Sequence, residues 1–225
     1  MKTIGVLGGI TWHSAAEYYR LLNTFANERE GGIHAARCVL LSVDVAEVDP
    51  LLHAGRWHDA GRMLAADAKA VEGAGADVFV LACNTLHHVW NDIVATLEIP
   101  TIHIGDAVAD ALAADGRSRA AVVGTSYTMT LPFLRDRLVQ RGIEVVVPDE
   151  SLHPRIDDTI FGEFSRGVFS DETRRFYLET ISQLDADAIV FACTELGLLL
   201  APGDLEAAVY DTAHVHARAA VDYVV

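Results

Sequence analysis

No apolar run in this chain comes near the roughly 20 residues that a bilayer-spanning helix needs. The longest are strand-sized, which excludes a transmembrane span. Positive charge is scarce: 17 Lys and Arg stand against 32 Asp and Glu, a net charge of -15. That balance disfavours nucleic acid or an anionic membrane as a partner. It does not bear on a small anionic ligand, which local donors would hold. Cysteine is sparse too, at three residues with no Cys-x-x-Cys pair. The start, Met1-Lys2-Thr3-Ile4-Gly5, runs directly into a strand and leaves no room for a signal peptide. With an odd cysteine count, this predicts reduced thiols in a cytoplasmic protein rather than a disulfide framework. No low-complexity segment or block of like charge marks disorder. Gly5-Val-Leu-Gly8-Gly9 is the nearest approach to a nucleotide loop, and it lacks both the G-x-G-x-x-G spacing and the P-loop lysine.

What is present is apolar patterning: 51% of 225 residues, enough for one large domain or two lobes with real cores. Buried strands are predicted at 2–7, 37–43, 77–82 and 101–104, and again at 119–123, 143–147, 187–192 and 208–210. Helical patterns lie between them. One starts near Ser14 with Tyr18, Leu21, Leu22 and Phe25 on its apolar face, and others cover 57–72, 86–97, 106–114, 131–140, 171–184 and 194–200, with a last one from Thr212. Near-continuous apolar strands alternating with helices predict an α/β fold with parallel sheets covered on both faces. Because the order repeats, we expect two lobes related by a pseudo-twofold axis, each a four-stranded parallel sheet flanked by helices. Lobe 1 would hold residues 1–98 with the C-terminal segment 207–225, and lobe 2 residues 99–206. Ligands of such sheets sit off the carboxyl ends of the strands, so the site is expected in the inter-lobe cleft. A single eight-stranded sheet is the alternative.

Two segments carry the repeat most clearly. Ala74-Gly-Ala-Asp-Val-Phe-Val-Leu-Ala-Cys83 and Leu184-Asp-Ala-Asp-Ala-Ile-Val-Phe-Ala-Cys193 each run from an Ala-Asp turn through an apolar strand to a cysteine beyond its end. Two thiols on opposite sides of one small molecule can remove a proton from one face and add one to the other. Each cysteine precedes a predicted helix, whose free N–H groups favour a thiolate and a carboxylate ligand. A single buried cysteine would be read as core packing; two in matched loops point to catalysis. Asn84, Thr85 and Thr194 offer donors for a carboxylate, or else helix caps. Gly9 and Thr125 stand at the ends of the first strand of each half, where backbone can approach a ligand. His87 is four residues from Cys83 and would tune that thiol or touch substrate. Zinc on Cys83, His87 and His88 is the competing idea, but no second Cys/His cluster completes a site. His214 and His216 read as surface or packing residues, and Cys38 as core.

On Gly5-Val-Leu-Gly-Gly-Ile-Thr-Trp-His-Ser14, Ala82-Cys-Asn-Thr-Leu-His87, Val123-Gly-Thr-Ser-Tyr-Thr128 and Ala192-Cys-Thr-Glu-Leu-Gly197, the chain resembles the aspartate/glutamate racemases that work without pyridoxal phosphate. The likeness spans the whole chain. It implies an isomerase with no cofactor and no metal, two pseudo-symmetric α/β lobes, a homodimer, and Cys83 and Cys193 as the acid/base pair. It also implies carboxylate contacts from Asn84, Thr85, Thr125 and Thr194. Thr194-Glu195 after the second cysteine resembles the aspartate branch. Two departures bear on substrate. Where strict aspartate racemases carry an arginine for the side-chain carboxylate, this chain has the acidic stretch Ser42-Val-Asp-Val-Ala-Glu-Val-Asp-Pro50. A lysine of the second lobe falls near Ser165-Arg166, so Arg166 stands in for it. A broader amino-acid range is therefore expected. The alternatives are amino-acid β-elimination (a dehydratase), hydantoin racemisation, a non-catalytic amino-acid-binding protein, or a redox dithiol.

Overall fold

Residue 4 opens the first sheet of this computed structural model, which describes residues 1–225 with the side chain of Pro202 excepted. The chain divides into two units, Met1–Ile104 with Ala213–Val225, and Gly105–Thr212. In the first, strand β1 (Ile4–Gly8) leads to helix α1 (Trp12–Glu30) and strand β2 (Cys38–Ser42). Helices α2 (Val45–His53) and α3 (Trp57–Gly73), strand β3 (Val78–Leu81) and helix α4 (Trp90–Val94) follow. Helix α5 (Ile104–Ala114) takes the chain into the second unit. That unit contains β4 (Arg119–Val123), α6 (Ser126–Thr130), α7 (Pro132–Gln140), β5 (Glu144–Val146), α8 (His153–Asp157) and α9 (Asp171–Ser182). After these come β6 (Ala188–Phe191), α10 (Leu196–Leu199) and β7 (Ala208–Asp211), and helix α11 (Thr212–Val224) returns the chain to the first unit.

All strand pairs are parallel, in the orders β2-β1-β3 and β5-β4-β6-β7. Parallel strands need helical crossovers, and β1, β3 and β6 are apolar and fully buried because both of their faces are covered. In the first unit Ile4, Val6, Val78 and Val80 face Tyr18, Leu22 and Phe25 of α1 and Ala217 and Val221 of α11. Leu7, Phe79 and Leu81 join Leu64, Ala68 and Val71 of α3 on the other face. In the second, Ala121, Val123, Ile189 and Phe191 pack with Phe176, Tyr177 and Ile181 of α9.

The Ala-Asp turns have a structural purpose. Asp77 Oδ2 accepts from the Thr3 amide at 2.7 Å, just before β1. Asp187 accepts from the Ser118 amide and hydroxyl, both at 2.9 Å, and from the Arg119 amide at 3.2 Å, at the start of β4. Each aspartate thus pins the neighbouring central strand, satisfying amides that no strand partner reaches.

Several expectations need correction. The first sheet has three strands, not four: the segment expected as a strand at 101–104 makes only a bridge from Thr101 to Phe79 before α5 begins at Ile104. The expected lobe limits of 98 and 207 also move. That bridge keeps 99–104 with the first unit, and the pairing of β7 with β6 keeps 207–212 with the second. Helix α1 starts earlier than Ser14, because Thr11 caps it by accepting from the Ser14 amide. The acidic stretch after β2 is helical rather than a loop, with Asp44 capping the Ala46 amide at 3.0 Å and Pro50 tolerated inside α2. Among the described residues no helix is long and apolar enough to cross a membrane.

Candidate active site

Strand register brings the candidate residues to the carboxyl edge of each sheet. In the first unit Leu7 pairs with Leu81, and the Ala82 amide donates to Leu7, so Gly9 comes level with Cys83. In the second, Val123 pairs with Phe191 and the Ala192 amide donates to Val123, so Thr125 comes level with Cys193. The two edges are built alike. Cys38, Cys83 and Cys193 are all free thiols, the second half-buried and the third buried.

Gly9 has φ of 104°, and a Cβ there would lie 2.2 Å from the Val43 carbonyl. Its glycine is therefore required by the turn against the end of β2, whatever its ligand role. Gly124 is needed for another reason: a Cβ would meet the Ala192 carbonyl at 2.8 Å, where β4 and β6 converge. Thr125 is buried and caps α6, its Oγ1 accepting from the Thr128 amide at 3.3 Å. Asn84 is buried at the mouth of the short 3-10 turn Thr85–Val89, and Thr85 and Thr194 are half-buried. Arg166 is exposed at the end of another short turn, just before Gly167 in the left-handed region.

His87 is tied at both ring nitrogens within the first unit. The Ile104 amide donates to Nε2 at 3.2 Å, which fixes Nε2 as an acceptor; Nδ1 therefore carries the proton and donates to the Cys83 carbonyl at 2.7 Å. The ring stacks on Trp90 and lies 4.5 Å from His103 and 6.0 Å from His216, centroid to centroid. Burial, then the neighbouring His103 and His216, hold the imidazole well below its ordinary pKa. This neutral ring clamps the Cys83 loop to the start of α5. His216, expected as surface or packing, is fully buried. Its Nε2 donates to the Ile102 carbonyl and its Nδ1 accepts from the Tyr18 hydroxyl, each at 2.8 Å. Cys38 is half-buried at the edge of the core, and burial raises its thiol pKa. Among the described residues no three His, Cys, Asp or Glu side chains gather in a way that could hold a metal ion.

Cys193 departs from the thiolate expected at a helix N-terminus. Burial, then the charge and hydrogen bond of Glu195, push its thiol well above the ordinary value. Helix α10 has only four residues, Leu196–Leu199, so little dipole opposes that shift. The thiol donates to Glu195 Oε2 at 3.1 Å. Glu195 was noted in the sequence only as a branch marker. Its position two residues after a catalytic candidate, inside an apolar motif, was the available signal.

A family model, Asp/Glu/hydantoin racemase, matches residues 7–220. A structure assigned as an Asp/Glu racemase from Yersinia pestis is 37% identical, covering 99% of both chains with a TM-score of 0.92. An aspartate racemase homologue from Pyrococcus horikoshii OT3 is 29% identical, again over 99% of both chains, with a TM-score of 0.85. The broad specificity amino-acid racemase RacX of Bacillus subtilis (strain 168) is 26% identical over 157 residues, 68% of this chain and 67% of the relative. The fold of two parallel α/β units is thus shared with Asp/Glu racemases, enzymes of the isomerase class. The chain belongs to the Asp/Glu/hydantoin racemase family.

Proposed function

We propose that this chain is a cofactor-independent amino-acid racemase of broad range, with Cys83 and Cys193 as a thiol/thiolate acid–base pair. The observation that carries the reading is the equivalent placement of the two cysteines, each just past a strand paired in register with the first strand of its unit. One thiolate removes the α-proton, and the other thiol delivers a proton to the opposite face of the same carbon. The roles exchange for the other enantiomer. The electron pair left on the α-carbon spreads into the substrate carboxylate, so donors held there lower the barrier. We assign Asn84, Thr85, Thr125 and Thr194 to that carboxylate, with the backbone at Gly9 beside it. Arg166, being exposed, is available to an acidic side chain. His87 acts on the Cys83 loop rather than on substrate, because both of its nitrogens are engaged. A broad range is supported by the acidic helix α2, where Asp44, Glu47 and Asp49 stand without an arginine, and by the named breadth of the Bacillus subtilis relative. A cytoplasmic homodimer completes the proposal.

The test is proton NMR of the protein in D2O with single L-amino acids, starting with aspartate, glutamate, homoserine and serine. Loss of the α-proton signal is expected, abolished by Cys83→Ser and by Cys193→Ser. No exchange with any of them, at high enzyme concentration and under reducing conditions, would refute the reading. Release of ammonia in place of inversion would move the assignment to β-elimination.

A further inference from the structure

The loop after β6 contains a contact that a two-cysteine scheme leaves unused. The Cys193 thiol donates to Glu195 Oε2 at 3.1 Å, and the Thr194 hydroxyl donates to the same oxygen at 2.6 Å. One oxygen of Glu195 thus serves as the shared acceptor for both of its neighbours in the loop. Cys193 is 7% exposed and Glu195 6%, so neither charge can be left to water. Asp211, at the end of β7, adds a further negative charge that raises the thiol. A thiolate formed by simple loss of a proton to solvent would therefore lie against a carboxylate at hydrogen-bond distance, which like-charge repulsion opposes. The geometry favours one negative charge shared by two groups.

We propose that Glu195 is a catalytic residue, its Oε2 taking the proton from the Cys193 thiol whenever Cys193 is to act as the base. This rests on the racemase reading above. The steps balance as follows. The Cys193 S–H bond breaks and a Glu195 O–H bond forms, giving a thiolate beside a neutral carboxyl group with no change in net charge. The thiolate then takes the substrate α-proton, and the C–H electron pair passes into the substrate carboxylate. The Cys83 thiol gives its proton to the opposite face of the carbon. The enzyme is left with Cys193 and Glu195 both protonated and Cys83 as thiolate. It is reset when Glu195 releases its proton to water and Cys83 takes one up. A thiolate next to a neutral, hydrogen-bonding carboxyl group is a usable base, whereas one next to a carboxylate is scarcely formed.

The decisive variant is Glu195→Gln, which keeps the length and an acceptor oxygen but can neither hold the charge nor take the proton. In the otherwise native protein, kcat/KM for α-proton exchange is expected to fall by about 10²–10⁴-fold, the usual contribution of a positioned proton acceptor. The thiol's own titration is the second readout, because it reports whether the Glu195 charge stands beside Cys193. Thiolate absorbance near 240 nm is followed against pH in protein bearing Cys38→Ser and Cys83→Ser, with Cys193→Ser subtracted. Glu195→Gln should move the midpoint down by about one pH unit or more, through loss of the adjacent charge. Glu195→Asp, which keeps the charge but draws it back by one methylene, should keep the midpoint high while lowering kcat/KM. It serves as the test if the glutamine variant does not fold. Exchange activity within a few-fold of wild type in Glu195→Gln, whether or not the midpoint moves, overturns the proposal while leaving the racemase reading intact. Wild-type protein with no α-proton exchange overturns both.

Discussion

Acidification from pH 7 to pH 5 is expected to cost the folded protein about 2 kcal/mol through His216 alone. The ring is fully buried, its Nε2 donating to the Ile102 carbonyl and its Nδ1 accepting from Tyr18. Burial lowers its pKa to about 4, against about 6.5 in an unfolded chain. Between those values the unfolded state binds a proton that the folded state refuses, so stability rises with pH across the window. The contribution is complete above about pH 6.5 and is lost as pH falls toward 4; each unit of the difference is worth about 1.4 kcal/mol, roughly 3 in all. The perturbation that isolates it is His216→Gln. A glutamine can donate to Ile102 and accept from Tyr18 but does not titrate. Urea denaturation of both proteins at pH 7 and pH 5, followed by circular dichroism, gives the comparison. The variant will be less stable at pH 7, because it packs less well. Its loss between pH 7 and pH 5 should nevertheless be smaller than that of wild type by about 2 kcal/mol. His87 is buried and lowered in the same sense; burial, the largest cause, is common to both proteins, and loss of the smaller His216 contribution reduces the variant's pH dependence further. Equal losses in the two proteins would refute the reasoning.

Asp187→Ala removes an acceptor of three hydrogen bonds at the start of β4, and should cost about 2 kcal/mol after allowance for solvent. Burial would raise the pKa of this carboxyl, but the Ser118 amide and hydroxyl, the Arg119 amide and the charge of Arg117 lower it overall. Its stabilisation is therefore present above the ordinary carboxylate range and lost as pH falls below about 4. The gap between wild type and variant, read by urea denaturation, should narrow in that range; a constant gap would remove the aspartate's charge from the account. Gly9→Ala places a Cβ 2.2 Å from the Val43 carbonyl at φ of 104°. A loss of about 2–4 kcal/mol in thermal or urea unfolding follows from backbone strain and overpacking together. Unchanged stability would mean that the turn between β1 and α1 is free to move away from Val43.

The parallel α/β architecture was legible because its signals are local and repeated. The strand at 77–82 and its echo at 187–192 lie within a residue of β3 and β6, and Tyr18, Leu21, Leu22 and Phe25 all face inward from α1. The helix over 45–53 was hidden by Pro50 and by the acidic Glu47 and Asp49, while its start depends on a cap at Asp44. The expected fourth strand of the first sheet was lost because strand or bridge is decided by neighbours: one residue, Thr101, pairs with Phe79, and α5 takes over at once. At the candidate site, both cysteines and the flanking Asn84, Thr85, Thr125 and Thr194 could be read from motif and repeat. Glu195 and the clamp made by His87 could not, because hydrogen bonds to a thiol or to a backbone carbonyl leave no periodic trace.

The internal repeat places two cysteines alike, yet it does not make them alike chemically. Each follows a four-residue apolar strand and stands level with the end of a neighbouring strand. From there the loops diverge. Cys83 is followed by Asn84 and Thr85, is half-buried, and is held through its carbonyl by a neutral imidazole that contributes shape without charge. Cys193 is followed by Thr194 and Glu195, is buried, and faces a carboxylate through its sulfur. A racemase must serve two mirror-related substrates with equilibrium near unity, but nothing in that requirement demands two identical bases. On the proposed two-cysteine mechanism it demands only that each thiol reach its base form and its acid form during the cycle. A half-buried thiol can exchange its proton with water. A buried one cannot do so cheaply, and a carboxylate at hydrogen-bond distance supplies the acceptor that water would otherwise be. Under that proposal, the asymmetry between Thr85 and Glu195, at matching positions of the two loops, answers the burial of the second cysteine.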